Sequence, residues 1–299
     1  MASFFDEISK NKIKSIALMA IFMLFFMLIV FFIVILFGGG LVGLIIGAAL
    51  IIGYAAFSYF HGYKFVLKIA GAKVASKDQY PMLYEIVDGL AAASQVKMPQ
   101  IYIVNDNSPN AFATGRNKNN AYIVVTSGIL KMMNREELEG VIAHEMSHIY
   151  NNDIQFMLIA VVFAGAIGLI AAVFRGFFFF GGLGGQGRNL GTIEIAAIVI
   201  GLLAPVFATL LRLAISRKRE YMADANGARI TRNPKSLASA LLKIKNYTAN
   251  PKTPPMKNVN EMTSSLYFSN PIKPGAFLSN LFSTHPPIDD RIKRLNEMY

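Results

Sequence analysis

Two long uncharged runs near the N-terminus constrain this chain more than any other feature in it. Ser15 to Phe37 supplies 23 residues without a charged side chain, and Leu41 to Phe60 supplies 20. At the helical rise, either run is long enough to cross about 30 Å of hydrocarbon. Gly38, Gly39 and Gly40 stand between them as a tight turn, so the pair reads as a transmembrane hairpin. A cleaved leader would have a shorter apolar stretch ending at a small-residue processing site. Two further runs, Ile154 to Phe174 and Ile193 to Leu211, predict a second hairpin. The last carries Pro205, which kinks it, and Glu194 at its edge, read as an interfacial carboxylate in preference to an intramembrane functional group. Only 16% of the residues are charged, against roughly 25% in an average soluble domain, which agrees with four spans.

The net charge of +11 is explained by where the cations fall. Lys10, Lys12 and Lys14 precede the first span; Lys64, Lys68, Lys73 and Lys77 follow the second; Arg212, Arg217, Lys218 and Arg219 follow the fourth. The glycine turn has none, and the Gly/Phe-rich loop between spans three and four has only Arg175 and Arg188. By the positive-inside rule both termini and both soluble pieces face the cytoplasm. No basic, aromatic-interleaved patch remains to argue for nucleic acid. The chain has no cysteine, which excludes disulfides and thiolate metal sites. The expected organisation is a membrane hairpin at 1–60, a first soluble piece at 61–153, a second hairpin at 154–211 and a second soluble piece at 212–299.

The first soluble piece has mixed α and β character. Tyr80 to Ser94 predicts an amphipathic helix through Leu83, Ile86, Val87 and Leu90. Ile101 to Val104 and Tyr122 to Val125 predict strands. Between them, Asn110, Ala111, Phe112 and Ala113 form a small-residue extended stretch. As an edge strand it would pair with unfolded substrate through its backbone, tolerating many sequences; the alternative is an ordinary edge strand or loop.

The chemistry lies in His144-Glu145-Met146-Ser147-His148. Residues four apart share a helix face, so the two imidazoles can hold one ion while Glu145 takes the proton of an activated water. Asn134 and Glu137 read as the capping box that starts this helix. Two imidazoles do not complete a catalytic zinc shell, which needs a third protein ligand and an open position. A third histidine six residues on is absent, because that position holds Ile154. The acidic candidates are Glu194, Glu220, Asp224, Glu261, Asp289, Asp290 and Glu297. Glu220 is preferred, since Asp224 lies one helical turn beyond it, placed to accept the N–H of a ligand histidine. His148 lies six residues before the third span and Glu220 nine after the fourth, so both sit roughly 9–14 Å from the membrane face.

The His144–His148 helix, the following membrane hairpin and Arg219-Glu220-Tyr-Met-Ala-Asp224 together resemble the HtpX family of integral-membrane zinc metalloproteases, in the Ste24-like peptidase clan. The resemblance extends over the whole chain and includes Thr284-His285-Pro286-Pro287. It implies an α+β membrane protein with four transmembrane helices and a cytoplasmic zincin-like (gluzincin) catalytic domain. It further implies an inner-membrane endopeptidase acting on unfolded or misfolded membrane proteins under stress. One Zn2+ would be held by His144, His148 and Glu220, with Glu145 as catalytic base. His285 belongs to the shared element and is read as an oxyanion donor or, alternatively, as a helix-start packing residue. Arg291 either orients the same region or is a solvated helix charge. A rival reading, a membrane transporter with a non-catalytic zinc site, predicts ionisable groups at mid-span, and every span centre is uncharged. A membrane scaffold with such a site would be expected to close the fourth coordination position and has no use for Glu145.

Overall fold

The structure is a computed structural model and describes residues 39–159, 217–250 and 286–298, with scattered positions between 13 and 34 and at 252–254, 256, 267 and 268. Of the runs expected to form the second membrane hairpin, the structure describes Ile154 to Ile159, a helical stretch in which Ile154, Phe156, Met157, Leu158 and Ile159 are buried; the rest of those runs, and His285, lie outside the described residues.

The helix α1 (Gly40–Ile69) has 30 residues and is about 45 Å long by its rise. Among the described residues it is the one helix long and apolar enough to cross a membrane. Its two ends have different surroundings. Leu41, Ile45, Leu50, Ile52, Phe57 and Phe60 are exposed, whereas Val66, Leu67 and the following Ala70 are buried. An apolar helix surface left uncovered over this length fits contact with lipid, and its last turns fit docking onto a folded domain.

That domain is built on a four-stranded sheet in the order β1-β2-β4-β3. Its strands are β1 (Lys73–Val74), β2 (Gln100–Val104), β3 (Ala111–Asn117) and β4 (Asn120–Thr126). β2 and β4 run parallel, and β3 folds back on β4 as an antiparallel hairpin, which leaves β3 on the sheet edge. The two strands expected around residues 101–104 and 122–125 are β2 and β4, and the expected edge strand is β3.

Strand alternation gives the sheet two apolar faces. Ile101, Ile103, Ala111, Ala113, Ile123 and Val125 point to the main core. There they meet α2 (Pro81–Ala93), which opens on Pro81 in its first turn, and α4 (Arg135–Tyr150). The short α3 (Ser127–Met132) joins β4 to α4. On the opposite face, Val104, Phe112 and Val124 pack with Val66, Leu67, Ala70, Met157 and Leu158. The sheet is therefore the layer between the end of α1 and the helical core.

The C-terminal pieces complete that core. α5 (Arg217–Thr231) and α6 (Pro234–Ala249) pack on α4, and α7 (Ile288–Asn296) packs on α6 and α5. Leu138, Val141, Ile142 and Met146 of α4 are fully buried, each stabilising the fold by about 1.5–3 kcal/mol. One glycine sets how closely two of these helices approach. A Cβ on Gly227 of α5 would lie 3.0 Å from the main-chain N of His144, so a methyl there would wedge α5 away from α4.

Candidate metal centre

α4 begins where the sequence predicts. Asn134 Oδ1 accepts from Glu137 N at 2.8 Å, and the Glu137 carboxylate accepts from Asn134 N at 2.9 Å. The Glu137 carboxylate also accepts from Lys243 Nζ at 2.6 Å and Ser239 Oγ at 2.7 Å, tying the start of α4 to α6. From there the helix runs through the centre of the domain. His144, Glu145, Ser147 and His148 are all buried, which demands partners for their polar atoms.

The partners are arranged alike around the two rings. His144 Nδ1 donates to Asp224 Oδ1 at 2.9 Å, and His148 Nδ1 donates to Asp153 Oδ2 at 3.0 Å. With both Nδ1 atoms engaged, the two Nε2 atoms turn toward each other at 3.1 Å. Glu220, reaching in from α5, places Oε2 3.7 Å from Nε2 of His144 and Oε1 3.5 Å from Nε2 of His148. The three residues offer ligand atoms within 4.8 Å of one another, all buried. Two imidazole lone pairs at this distance repel unless a proton or a cation lies between them. Metal–ligand bonds of 2.0–2.2 Å set tetrahedral edges of roughly 3.3–3.6 Å, close to these three separations. Two imidazoles and a carboxylate with a further open position are the donor set of a catalytic zinc, so the residues fit that ion.

Each backing carboxylate has its own arginine. Asp224 is gripped by Arg291 of α7 through Nε at 2.8 Å and Nη2 at 2.7 Å. Arg291 also donates to the Phe268 carbonyl at 3.2 Å and stacks over the Phe268 ring, whose edge meets the His144 ring. Arg219 of α5 has Nε 3.9 Å from Asp153 and lies over the Phe156 ring. Of the two readings open for Arg291, burial at 1% exposure removes the solvated one. Asp153 was not singled out in the sequence. Asn152 takes a left-handed φ of 59° just after α4, and this turn returns Asp153 to the His148 ring.

Electrostatics follow from burial and from these partners. Burial pushes Glu145 up to about 7, helped by the nearby Glu220, while the charge of His148, the main-chain N–H of Ala113 and the charge of Arg291 work the other way. Burial drives His144 down to about 4 despite Asp224. Burial also opposes a charge on His148, but Asp153 and Glu220 outweigh it and lift the ring to about 9. Burial would raise Asp224, yet Arg291 and His144 hold its carboxyl well below the usual carboxylate range.

The expected substrate strand runs beside Glu145. Thr126 N donates to Asn110 O at 3.0 Å, so the even-numbered residues of β3 turn their main chain to β4 and Ala111 and Ala113 turn theirs to the edge. Phe268 N donates to Ala111 O at 2.8 Å, and the Ala113 N–H meets the Glu145 carboxylate. Of the four predicted positions, Asn110 and Phe112 therefore contribute side chains or shape rather than edge hydrogen bonds.

Comparison with known proteins identifies the family. Peptidase family M48 matches residues 77–299. The chain is 41% identical over 298 residues to a protease HtpX homolog of Dictyoglomus thermophilum, covering 99% of this chain and 95% of that one. It is 42% identical over 303 residues to a protease HtpX homolog of Streptococcus gordonii, covering 98% and 99%. The crystal structure of S. mikatae Ste24p aligns with a TM-score of 0.48 and 19% identity, over 83% of this chain and 57% of that one. With matches of this length and identity, this chain, a membrane metalloprotease, belongs to peptidase family M48.

Proposed function

We propose that this protein is a zinc endopeptidase of the bacterial or archaeal inner membrane, with its active site facing the cytoplasm and unfolded or misfolded membrane proteins as substrates. The observation that carries the reading is the convergence of His144, His148 and Glu220 on one buried point with Glu145 beside them. His144, His148 and Glu220 would hold the ion. When bound, zinc polarises the scissile carbonyl and lowers the pKa of water toward about 7.

The remaining work falls to the chain's own groups. Glu145 takes a proton on its carboxylate and releases it to the leaving amine. The Ala113 N–H fixes the orientation of that carboxylate. Asp224 and Asp153 hold the two rings in the tautomer that presents Nε2. Substrate in extended form adds to the edge of β3 from the Ala113 carbonyl onward, since the Ala113 N–H serves Glu145 and Ala111 is engaged by Asn110 and Phe268; this mode reads backbone rather than sequence. His285 is the proposed oxyanion donor, on the strength of its sequence element.

Four spans are proposed from the apolar runs, with the soluble pieces 61–153 and 212–299 forming one catalytic domain. The cytoplasmic orientation is supported by α1. The end that docks on the sheet carries Lys64 and Lys68, and Gly40 to Phe60 carries no cation. Purified protein in detergent, given one equivalent of zinc, is expected to cleave an unfolded membrane protein and to stop on chelation. Zinc-independent cleavage, or none with zinc bound, rejects the proposal.

A further inference from the structure

The hairpin of β3 and β4 carries a second feature at the end remote from Asn110. Gly115, at φ 143°, faces Asn120 so closely that a Cβ would lie 2.3 Å from the Asn120 carbonyl, and the register slips between Gly115 and Asn117. Such an irregularity re-aims the residues beyond it. Here it delivers Arg116 to α1, with the guanidinium 5.1 Å from the centre of the Phe60 ring. Phe60 is the last residue of the apolar run and is half exposed.

The hairpin is held at that height by further contacts. Tyr63, three residues after Phe60, stacks on Tyr122 of β4 at 4.3 Å, and Tyr102 meets Tyr122 edge-on at 6.0 Å. Aromatic side chains of this amphipathic kind gather where hydrocarbon gives way to headgroups. The tip is shaped by Asn117, whose Oδ1 accepts from Asn119 N and Asn120 Nδ2, both at 3.0 Å, leaving Lys118 and Asn119 exposed. Neither the hairpin, from Ala111 to Thr126, nor the stretch from Gly40 to Lys77 contains an acidic residue. Lys64, Lys68 and Lys118 are exposed, Arg116 is half-buried against Phe60, and no acidic residue along either segment offsets these cations.

We infer that the β3–β4 hairpin tip is a lipid-binding element that takes the headgroups of anionic phospholipids in the leaflet next to the catalytic domain. The inference rests on the reading of α1 as a membrane span. Its consequence reaches the site, because the strand clamped to the headgroups at Arg116 is the one whose Ala113 meets Glu145. Substrate segments emerging from the bilayer would meet the edge of β3 at headgroup height.

The chain has no cysteine, so Asn119→Cys carries a fluorophore at one defined place. The labelled full-length protein is placed in nanodiscs of phosphatidylcholine alone or with about one third phosphatidylglycerol, each with a trace of headgroup-spin-labelled quencher. Quenching is expected to be at least about twofold stronger with the anionic lipid and to weaken in high salt. The double variant Arg116→Gln/Lys118→Gln is expected to lose most of that difference. No quenching in either bilayer overturns the inference. Equal quenching in both bilayers and in the double variant overturns it too, since the tip would then be near the membrane only because α1 holds it there. Zinc-dependent cleavage of a soluble unfolded protein in detergent by both forms shows that they are folded. That assay reports on the protease reading separately from the lipid contact.

Discussion

Oδ1 of Asp224 accepts a hydrogen bond from His144 Nδ1 at 2.9 Å and from Arg291 Nη2 at 2.7 Å at the same time. One carboxylate oxygen therefore couples a helix at the end of the chain to a ring of the metal centre. Asp224→Asn leaves Arg291 buried with its main counter-charge gone, which costs about 3–5 kcal/mol of stability. The same change loosens the His144 ring and lowers zinc affinity by about 10- to 100-fold. Thermal unfolding and competition with a chelator measure the two effects. Unchanged zinc affinity in the folded variant would remove the orienting role.

Glu145 is buried beside the three converging donors without being one of them. Glu145→Gln should bind zinc as the parent does and lose at least about 100-fold in cleavage rate. His148→Ala should lose both zinc and cleavage. Metal analysis beside a peptide-release assay separates the two variants.

Removal of the metal exposes a pH dependence. Without the ion, His148 is raised to about 9 and carries a proton at neutral pH, whereas His144, at about 4, does not. Zinc must displace the His148 proton, so apparent affinity should rise by about tenfold per pH unit from 7 toward 9 and then level off. Titration of the apo-protein with zinc at several pH values checks the slope. A flat profile would mean that His148 is neutral in the apo-protein.

The start of α4 makes an independent stability prediction. Burial would raise the Glu137 carboxyl, but Lys243, Asn134 and Ser239 hold it below its ordinary value. A depressed carboxylate contributes stability above its unfolded pKa of about 4.3 and loses it as pH falls through the lower folded value. Glu137→Ala should cost about 1–2 kcal/mol at pH 7 and progressively less in acid. Unfolding of both forms from pH 7 down to pH 3 should show the two curves approaching each other.

Gly227 tests how closely α5 must lie on α4. Gly227→Ala gains up to about 1 kcal/mol of helix propensity but places a methyl against the His144 main chain, an overpacking cost of about 1–3 kcal/mol. The wedge moves Glu220 relative to the two rings, so zinc affinity should fall further than overall stability does. Gly89, in α2, has open space where a Cβ would go, so Gly89→Ala is the matched control.

Much of this site is legible in the residues, and the reasons differ by residue. His144 and His148 stand out because helical spacing alone places both on one face, and the capping pair Asn134 and Glu137 marks where that helix begins. Glu220 emerges by elimination, since a chain without cysteine and with apolar runs after residue 153 offers few other donors. Asp153 is hidden because its position depends on the φ of Asn152, a backbone choice that the side chains around it do not announce. Arg291 leaves a usable signal that is easy to overlook. It lies three residues after Ile288 and four before Leu295, on the apolar face of α7, where a solvated charge does not belong. The strand alternation of β3 is readable too. That Phe268 pairs with Ala111 is not, because a contact between residues 157 apart in sequence depends on the tertiary fold.

The most direct measurement is the zinc content of apo-protein reloaded with one equivalent of zinc and dialysed, for the parent chain and for Glu220→Gln. The account predicts about one zinc retained per parent chain and at least about tenfold weaker retention in the variant. Equal retention by the two would show that the ion, if held, does not depend on the carboxylate of α5, and the proposed centre would be wrong.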